Sequence, residues 1–244
     1  MVNVVKPEVK LLAKSWADIV FADPDTGEIG YGELEGMELS PGARDAENLV
    51  EFAGRACYQS FHKPNPATAD NADYISNIIS QGHESVLEHA TVTFYLTGVS
   101  RALTHELIRH RHLSYSQMSQ RFVDESDANI VMPPAISALF HEGSKEYETV
   151  LKHAKKSLKR YSALVESLQN EGLPRKQARE AARAVLPNCM ETRIVVSGNL
   201  RAWRDYLKKR TSPHADAEIR IVSQMILSEL YDIAPSVFLS LIHI

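Results

Sequence analysis

The period of the hydrophobic residues changes at Ala90, and this change constrains the fold of the chain more than any other feature. Before it, apolar residues recur at helical spacing, which predicts amphipathic helices over 45–58 and 70–80. From 90 to 99 the sequence ATVTFYLTGV is dense in β-branched and aromatic residues, which is typical of a strand. Ser100 then has the residue type and position of an N-cap for a following helix.

The same signals predict further elements on both sides of this strand. Residues 22–42, rich in Gly, Asp and Glu, are predicted to form a long loop or hairpin region. In the middle of the chain, the predictions are a helix from Ser100 to about Arg109, a loop over 112–120 and a short strand over 119–123. Next come a helix over 142–170 ended by Gly172 and another helix opened by Pro174. The last predicted elements are a strand over 191–197, a helix from Asn199 to about Lys209 and a helix opened by Ser212 and Pro213. Because the strands are few and irregularly spaced, βαβ repetition is excluded. We therefore expect a helix-rich α+β fold and one domain over residues 1–244.

Composition excludes several classes of protein. The chain has 244 residues, 44% of them hydrophobic, and no apolar run approaches the roughly 20 residues of a membrane-spanning helix. The N-terminal segment lacks the apolar core of a signal peptide, and two cysteines do not make a disulfide framework. A net charge of -4 argues against a general nucleic-acid binder. The expectation is a soluble, cytoplasmic protein with neither a membrane nor a nucleic acid as partner.

Several familiar catalytic motifs are missing from the sequence. The glycines of GYGELEG at 30–36 have one residue too many for the dinucleotide-binding fingerprint. His83 and Glu84 begin like a zinc-protease motif, but the second histidine is missing at the i,i+4 position, so no metal site is predicted. Cys57 and Cys189 could each be a nucleophile, but we interpret both as small buried residues.

The composition of the segment 101–121 is typical neither of a solvated helix face nor of a hydrophobic core. It reads RALTHELIRHRHLSYSQMSQR, with four arginines and three histidines in 21 residues. Guanidinium groups bind phosphate bidentately, and neighbouring hydroxyl and amide groups satisfy the remaining oxygens. This combination favours a phosphorylated small molecule, whereas an Arg–Glu network at the C-terminus of a helix is the open alternative.

A second basic group lies late in the chain. Each of its members, taken alone, is typical of a surface arginine. Two basic groups in an acidic protein nevertheless suggest an anionic-ligand site assembled from distant segments, within one subunit or across an interface. The members are Arg183, Arg193, Arg201, Arg204 and Arg210.

Four blocks of sequence together resemble the flavin-dependent thymidylate synthases. The most specific block is Arg109-His110-Arg111, followed after seven residues by Ser119, which matches the R-H-R-x7-S signature of that family. The other blocks are the segment 83–89, similar to the G-H-x-[ST] segment, the segment 183–187, similar to the R-x-x-L-P turn, and the segment 199–210, similar to the last ligand-binding element. The resemblance covers about 80–232.

The resemblance implies an activity and its cofactors. Members of that family convert dUMP to dTMP, with methylenetetrahydrofolate as carbon donor and NADPH as reductant through bound FAD. They use no cysteine nucleophile on the uracil ring. They are typically homotetramers whose active sites are shared between subunits, and their fold is helix-rich around a mostly antiparallel central sheet.

The resemblance also implies roles for individual residues. Arg210 is the expected catalytic residue, placed against N3 and O4 of uracil, where a fixed cation favours ionisation by about 1 to 3 pKa units. Expected FAD ligands are Ser85, Arg109, His110, Arg111, Gln117, Asn199, Arg201 and Asp205. Expected dUMP ligands are Glu106, Arg109, Gln117, Ser119, Gln120, Arg121, Arg183 and Arg210. Gln117 and Asp205 depart from the family pattern, which has Glu in several relatives at the first position and His or Asn at the second.

Two other functions are carried as alternatives. The first is a flavin oxidoreductase that oxidises NADPH without dUMP chemistry. The second is a non-catalytic nucleotide- or RNA-binding protein, which is disfavoured because aromatic residues make up 7% of the chain and only Tyr115 in the basic loop could stack on a base.

Overall fold

The computed structural model describes residues 2–17, 20–22, 29–31, 33–34, 37–40 and 42–242. The strands are β1 (Val4–Val5), β2 (Glu8–Lys14), β3 (Val20–Ala22), β4 (Ile29–Tyr31), β5 (Glu33–Leu34), β6 (Met37–Glu38), β7 (Thr91–Ser100), β8 (Ser114–Gln117), β9 (Ile130–Val131) and β10 (Glu191–Asn199). The α-helices are α1 (Asp45–Tyr58), α2 (Asn71–Ser80), α3 (Arg101–Leu107), α4 (Pro134–Leu139), α5 (Lys145–Asn170), α6 (Arg175–Ala182), α7 (Leu200–Arg210), α8 (Ala217–Ile233) and α9 (Pro235–Phe238). Short 3-10 helices cover Pro66–Thr68, Glu84–Glu88, Arg183–Val185 and Leu239–Leu241.

The main sheet has four strands in the order β2–β7–β10–β8 and is antiparallel. A separate parallel pair joins β1 to β9, with Val4 opposite Ile130. Helices account for much more of the described chain than strands do. The predicted helix-rich α+β fold with a mostly antiparallel sheet is therefore confirmed.

The chain divides into two compact units, each made of three separate segments. The first unit contains 1–10, 95–196 and 213–222, and the second contains 11–94, 197–212 and 223–244. Strands β2, β7 and β10 each contribute residues to both units. That residues 1–244 form one domain stays a prediction.

Each unit has its own apolar core. In the first unit, the buried face of α5 packs with residues of β9 and the segment before β10, a cluster that includes Tyr147, Leu151 and Met190. In the second unit, the buried Trp203 of α7 makes edge-to-face contacts with Phe94 at 5.3 Å and with Tyr206 at 5.7 Å between ring centroids. Such aromatic pairs contribute about 0.5 to 1.5 kcal/mol beyond the burial of their area.

The local signals at helix starts are confirmed. The Asp70 carboxylate accepts a hydrogen bond from Ala72 N at 2.9 Å, the Ser100 hydroxyl accepts from Leu103 N at 3.1 Å, and the Asn199 side chain accepts from Ala202 N at 2.8 Å. Each satisfies a backbone N–H that has no partner inside its own helix. Helix α3 ends two residues earlier than predicted, and α5 begins three residues later.

Other predictions are wrong. The predicted loop over 112–120 contains β8, which pairs in the main sheet, whereas the predicted strand over 119–123 is a turn in which Phe122 N and Val123 N both donate to Ser119 O. The last long helix begins at Ala217 rather than at 212–213.

The predicted loop or hairpin over 22–42 is described only in part. Within 20–38, the strands β3 and β4 pair antiparallel, as do β5 and β6. Residues 23–28, 32, 35–36 and 41 lie outside the described residues.

Candidate functional site

Helix α3 is fixed at its start by two polar groups. Ser100 caps the helix, and its backbone N–H and its hydroxyl both donate to the Glu218 carboxylate, at 2.7 and 2.6 Å. This anchoring sets the position of the helix that carries Arg101, Thr104 and Glu106.

The amide of Gln117 is held in place by two buried hydroxyls. Its Nε2 donates to Thr104 Oγ1 and to Thr192 Oγ1, both at 3.2 Å, so both N–H groups of the amide are used. Arg101 Nη1 donates to the same Thr192 hydroxyl at 3.4 Å. The structure thus joins Gln117, which the resemblance places between flavin and nucleotide, to Arg101, which the sequence reasoning did not single out as a ligand.

The turn that carries Ser119 and Arg121 is anchored by α6. Arg179 donates to Phe122 O and to Asp124 Oδ2, both at 2.6 Å, and Arg121 Nε lies 2.7 Å from Glu180 Oε2. Burial acts to raise the pKa of Asp124, but hydrogen bonds from Ser126 and Arg179 hold it below its usual range. The turn carries the Ser119 hydroxyl, which accepts from Arg121 N at 3.3 Å, and a guanidinium that is ion-paired with α6.

The side chain of Gln120 points into the protein. Gln120 is 6% exposed, and its amide stabilises the charged form of the fully buried Glu125. A contact between Gln120 and a nucleotide phosphate would therefore come from its backbone N–H and not from its side chain. Burial raises the pKa of Glu125, while the nearby Arg101 guanidinium opposes that rise.

Arg183 and Arg101 lie close enough to affect each other. Burial lowers the pKa of the Arg101 guanidinium, Glu125 raises it, and Arg183 lowers it further by like-charge repulsion. The structure thus brings Arg183, from the second basic group of the sequence, to the first basic group. A pair of neighbouring guanidiniums has the charge and the donors that a phosphate monoester requires.

The R-H-R segment follows the end of α3. Arg109 is exposed and pairs with Glu106 at 3.5 Å, which is an Arg–Glu contact of the kind that the open alternative expected. The Tyr115 hydroxyl donates to Leu107 O at 2.7 Å and to His110 O at 2.9 Å, and it thereby fixes the path of the chain through the segment. Arg111 is exposed.

In the second unit, the expected flavin ligands lie on two neighbouring elements. Ser85 is exposed on the 84–88 3-10 helix, which packs against the helix that carries Asn199 at its N-cap, Arg201 and Asp205. Arg201 Nη1 donates to Glu88 Oε1 at 2.6 Å, and Asp205 accepts from Lys209 Nζ at 2.6 Å. The negative charge of Asp205 is thus paired with a lysine one turn away.

Two interpretations of single residues need correction. Arg204 is not a surface arginine: it is 2% exposed and donates to Val237 O, because α7 packs that face against the C-terminal segment. Cys57 is not buried, because it falls on the solvent side near the end of α1, and Cys189 is half-buried. Neither burial pattern could be read from residue type alone.

Arg210 is the last residue of α7, where cations are favoured by the helix dipole. It lies near the buried Tyr206, whose pKa is raised by burial to about 12, with Ser223 and Arg210 lowering it in part. The hydroxyl of the next residue, Thr211, donates back to Leu207 O at 2.7 Å and closes the helix end.

The described residues contain no group of His, Cys, Asp and Glu side chains that could hold a metal ion. Within the same residues, no helix is long and apolar enough to cross a membrane. The site therefore has to be interpreted from its guanidinium, hydroxyl and amide groups.

Comparison with known proteins decides the family. The family model described as thymidylate synthase complementing protein matches residues 38–236. The chain belongs to the thymidylate synthase complementing protein family. This confirms the resemblance seen in the R-H-R-x7-S block and its companions.

Relatives within the thymidylate synthase complementing protein family carry a common name. The chain is 49% identical over 245 residues to the flavin-dependent thymidylate synthase of Mycobacteroides abscessus, covering 98% of this chain and 91% of that one. It is 54% identical over 213 residues to the enzyme of the same name from Mycobacterium sp. strain KMS, covering 81% and 82%. The corresponding enzyme of Mycobacterium avium strain 104 is 53% identical over 209 residues, with the same coverage.

Proposed function

We propose that this chain is a flavin-dependent thymidylate synthase that methylates dUMP to dTMP. In this proposal methylenetetrahydrofolate supplies the carbon and NADPH the reducing equivalents through bound FAD. The observation that carries the proposal is identity of 49% to a flavin-dependent thymidylate synthase across 98% of the chain. The geometry of both units supports it.

The first unit would bind the phosphate of the nucleotide. The phosphate would be held on the anchored turn by Ser119, by the backbone N–H of Gln120 and by the Arg121 side chain. Arg183 would add a second guanidinium. The fixed amide of Gln117 and the Glu106–Arg109 pair would border the nucleotide and flavin. Because α6 and the Thr192 hydroxyl already hold these groups, little side-chain entropy remains to be lost on binding.

The second unit would bind the flavin. Ser85, Asn199, Arg201 and Asp205 are the flavin ligands that we expect in this unit, and Arg109, His110, Arg111 and Gln117 are those that we expect in the first unit. The fit to an anionic diphosphate is supported by the cations on one face of α7, where Arg201 is exposed and already oriented by Glu88. When bound, the flavin supplies the hydride chemistry, and the protein supplies binding and orientation.

Arg210 would activate the uracil ring. A guanidinium fixed against N3 and O4 stabilises negative charge there, which makes C5 of the ring the nucleophile. This route needs no thiolate. The half-buried Cys189 is consistent with it, because burial raises the pKa of its thiol and disfavours the thiolate.

The assembly and location are part of the same proposal. We expect a cytoplasmic homotetramer whose active sites combine residues from neighbouring subunits, with no nucleic-acid or membrane partner.

The test is tritium release from dUMP labelled at C5, run anaerobically with FAD, NADPH and methylenetetrahydrofolate. Release that needs every component, together with formation of dTMP, supports the proposal. Arg210→Ala should abolish release while FAD remains bound. Oxidation of NADPH by yellow protein without tritium release would favour the flavin oxidoreductase instead. Salt-sensitive oligonucleotide binding by flavin-free protein would favour the non-catalytic nucleotide- or RNA-binding protein.

A further inference from the structure

Three cations on one face of α7 converge on a single carboxylate. Glu84 lies 3.6 Å from Lys208 Nζ, 3.9 Å from Arg204 Nε and 4.0 Å from Arg201 Nε. The three positions are spaced i, i+3 and i+7, which places them on the same side of the helix. Glu84 directly precedes Ser85, so this carboxylate joins the two elements that carry the expected flavin ligands of the second unit.

The junction is rigid because part of it is buried. The side chain of Arg204 is 3% exposed and that of Glu84 is 22% exposed. Arg204 also donates to Val237 O in the C-terminal segment. Burial lowers the pKa of Arg204, and Glu84 is the charge that opposes this decrease. The buried guanidinium is therefore an ion-pair partner of Glu84, 3.9 Å from its carboxylate.

Glu84 in turn helps to orient Arg201. The guanidinium of Arg201 is contacted on two sides, at Nη1 by Glu88 at 2.6 Å and at Nε by Glu84 at 4.0 Å. The hydrogen bond to Glu88 and the charge of Glu84 at ion-pair distance from Nε together favour one orientation of the guanidinium, and bidentate recognition of phosphate requires a defined orientation. An exposed arginine without such partners would lose rotamer freedom on binding.

We propose that Glu84 is a positioning residue for the flavin, which sets Arg201 and the Ser85 segment against α7 before the cofactor binds. This inference rests on the proposed function, because the flavin roles of Arg201 and Ser85 come from it.

Charge and geometry predict opposite effects at this position. A carboxylate near a diphosphate repels it, so neutralising Glu84 would tighten FAD binding if charge were all that mattered. If Glu84 positions Arg201, its loss weakens binding instead. We expect Glu84→Gln to raise the Kd for FAD about tenfold, the usual order for removing a group that orients a ligating residue.

The experiment is a double-mutant cycle on FAD affinity. Apoprotein of the wild type, Glu84→Gln, Arg201→Ala and the double variant is titrated with FAD and followed by flavin fluorescence. If Glu84 acts through Arg201, its effect disappears in the Arg201→Ala background. If Glu84 only supports the local fold, its effect on FAD affinity persists in the Arg201→Ala background. Glu148→Gln is the control, since it removes a partly buried carboxylate of a lysine pair on α5.

Glu84→Asp keeps the proposal testable if Glu84→Gln does not fold. This variant keeps the negative charge beside Arg204 but has a shorter side chain, so it changes the distance to Arg201 without changing the charge. Weaker FAD binding by Glu84→Asp, lost in the Arg201→Ala background, supports the proposal. Unchanged or tighter binding in the folded Glu84 variants overturns it. Failure of the wild-type protein to bind FAD would instead overturn the proposed function.

Discussion

Glu125 is a buried carboxylate in an environment that disfavours its charge. It is fully buried, and no N–H or O–H group of the described chain forms a hydrogen bond of ordinary length with its carboxylate oxygens. Arg101 faces it with opposite charge, whereas Asp124 and Glu191 face it with like charge, and Tyr161 and Arg179 lie in the same cluster. Burial is the largest cause of its raised pKa.

A raised folded pKa makes stability depend on pH. Between the unfolded pKa and the raised folded pKa, the native state binds more protons than the unfolded state, so stability falls as the pH rises through that window. Glu125→Gln removes the cost of the buried charge. We expect it to increase stability at pH 8 by about 1 to 3 kcal/mol and to have little effect near pH 4.5.

Thermal or urea unfolding of both proteins at several pH values measures this difference. Glu166→Gln on the exposed side of α5 is the matched control and should show no pH-dependent gain. Equal stability of wild type and Glu125→Gln at all pH values would contradict a raised pKa of Glu125 in the folded protein.

For single residues, the sequence indicates which side chains could bind a ligand better than it indicates which side chains are buried. The block from Arg109 to Ser119 identifies the expected ligands because guanidinium, hydroxyl and amide groups are informative by chemistry alone. Burial of Arg204 and Glu125 could not be predicted, because it depends on which distant segments pack over them. Arg101 could have been identified as a candidate ligand from the sequence, since it is the first residue of the basic segment 101–121.

Among the elements, three helix N-caps were predicted well, whereas the strand β8 was predicted as a loop. Asp70, Ser100 and Asn199 cap their helices through contacts two or three residues away, so the signal is local. Strand β8 has the polar sequence SYSQ, and it is a strand because it pairs with β10, more than 70 residues later. Such pairing leaves little trace in the local pattern.

Within β7, Gly98 is fixed by a close backbone approach. It has φ +64°, and a Cβ there would lie 1.8 Å from the backbone carbonyl oxygen of Lys6. Because the obstacle is backbone, it cannot rotate away. We expect Gly98→Ala to destabilise the protein by about 3 kcal/mol or more, from left-handed strain and overpacking together.

Gly82 provides the matched comparison for this prediction. It has φ +71°, and no atom lies within 4 Å of the position that a Cβ would take, so Gly82→Ala carries the strain alone. We expect a loss of about 1 kcal/mol for it. Chemical denaturation of both variants gives the difference, and equal losses would show that the approach of Lys6 does not matter.

For the whole molecule, exposed apolar residues favour association between copies. Leu12 on β2 is 55% exposed and the nearby Trp16 is 77% exposed. Exposed apolar groups near a sheet edge are typical of an interface. The proposed homotetramer should sediment at about 109 kDa, four times the 27.3 kDa of one chain.

Trp16→Lys should shift the sedimentation to smaller species if this surface is an interface, since a buried charge disfavours association. Leu139→Lys, at a residue 76% exposed in α4, is the control. A wild-type species of one chain mass would contradict the tetramer. Unchanged assembly of Trp16→Lys would exclude this surface.

The interleaving of the two compact units has a consequence for how such a gene can evolve. Each unit is encoded by three separated stretches, and the chain passes from one unit to the other five times: inside strands β2, β7 and β10, between α7 and α8, and inside α8. Recombination at any single point would therefore divide at least one unit. Neither unit can therefore be gained, lost or exchanged as a cassette, and new specificity has to arise by substitution within the intact chain.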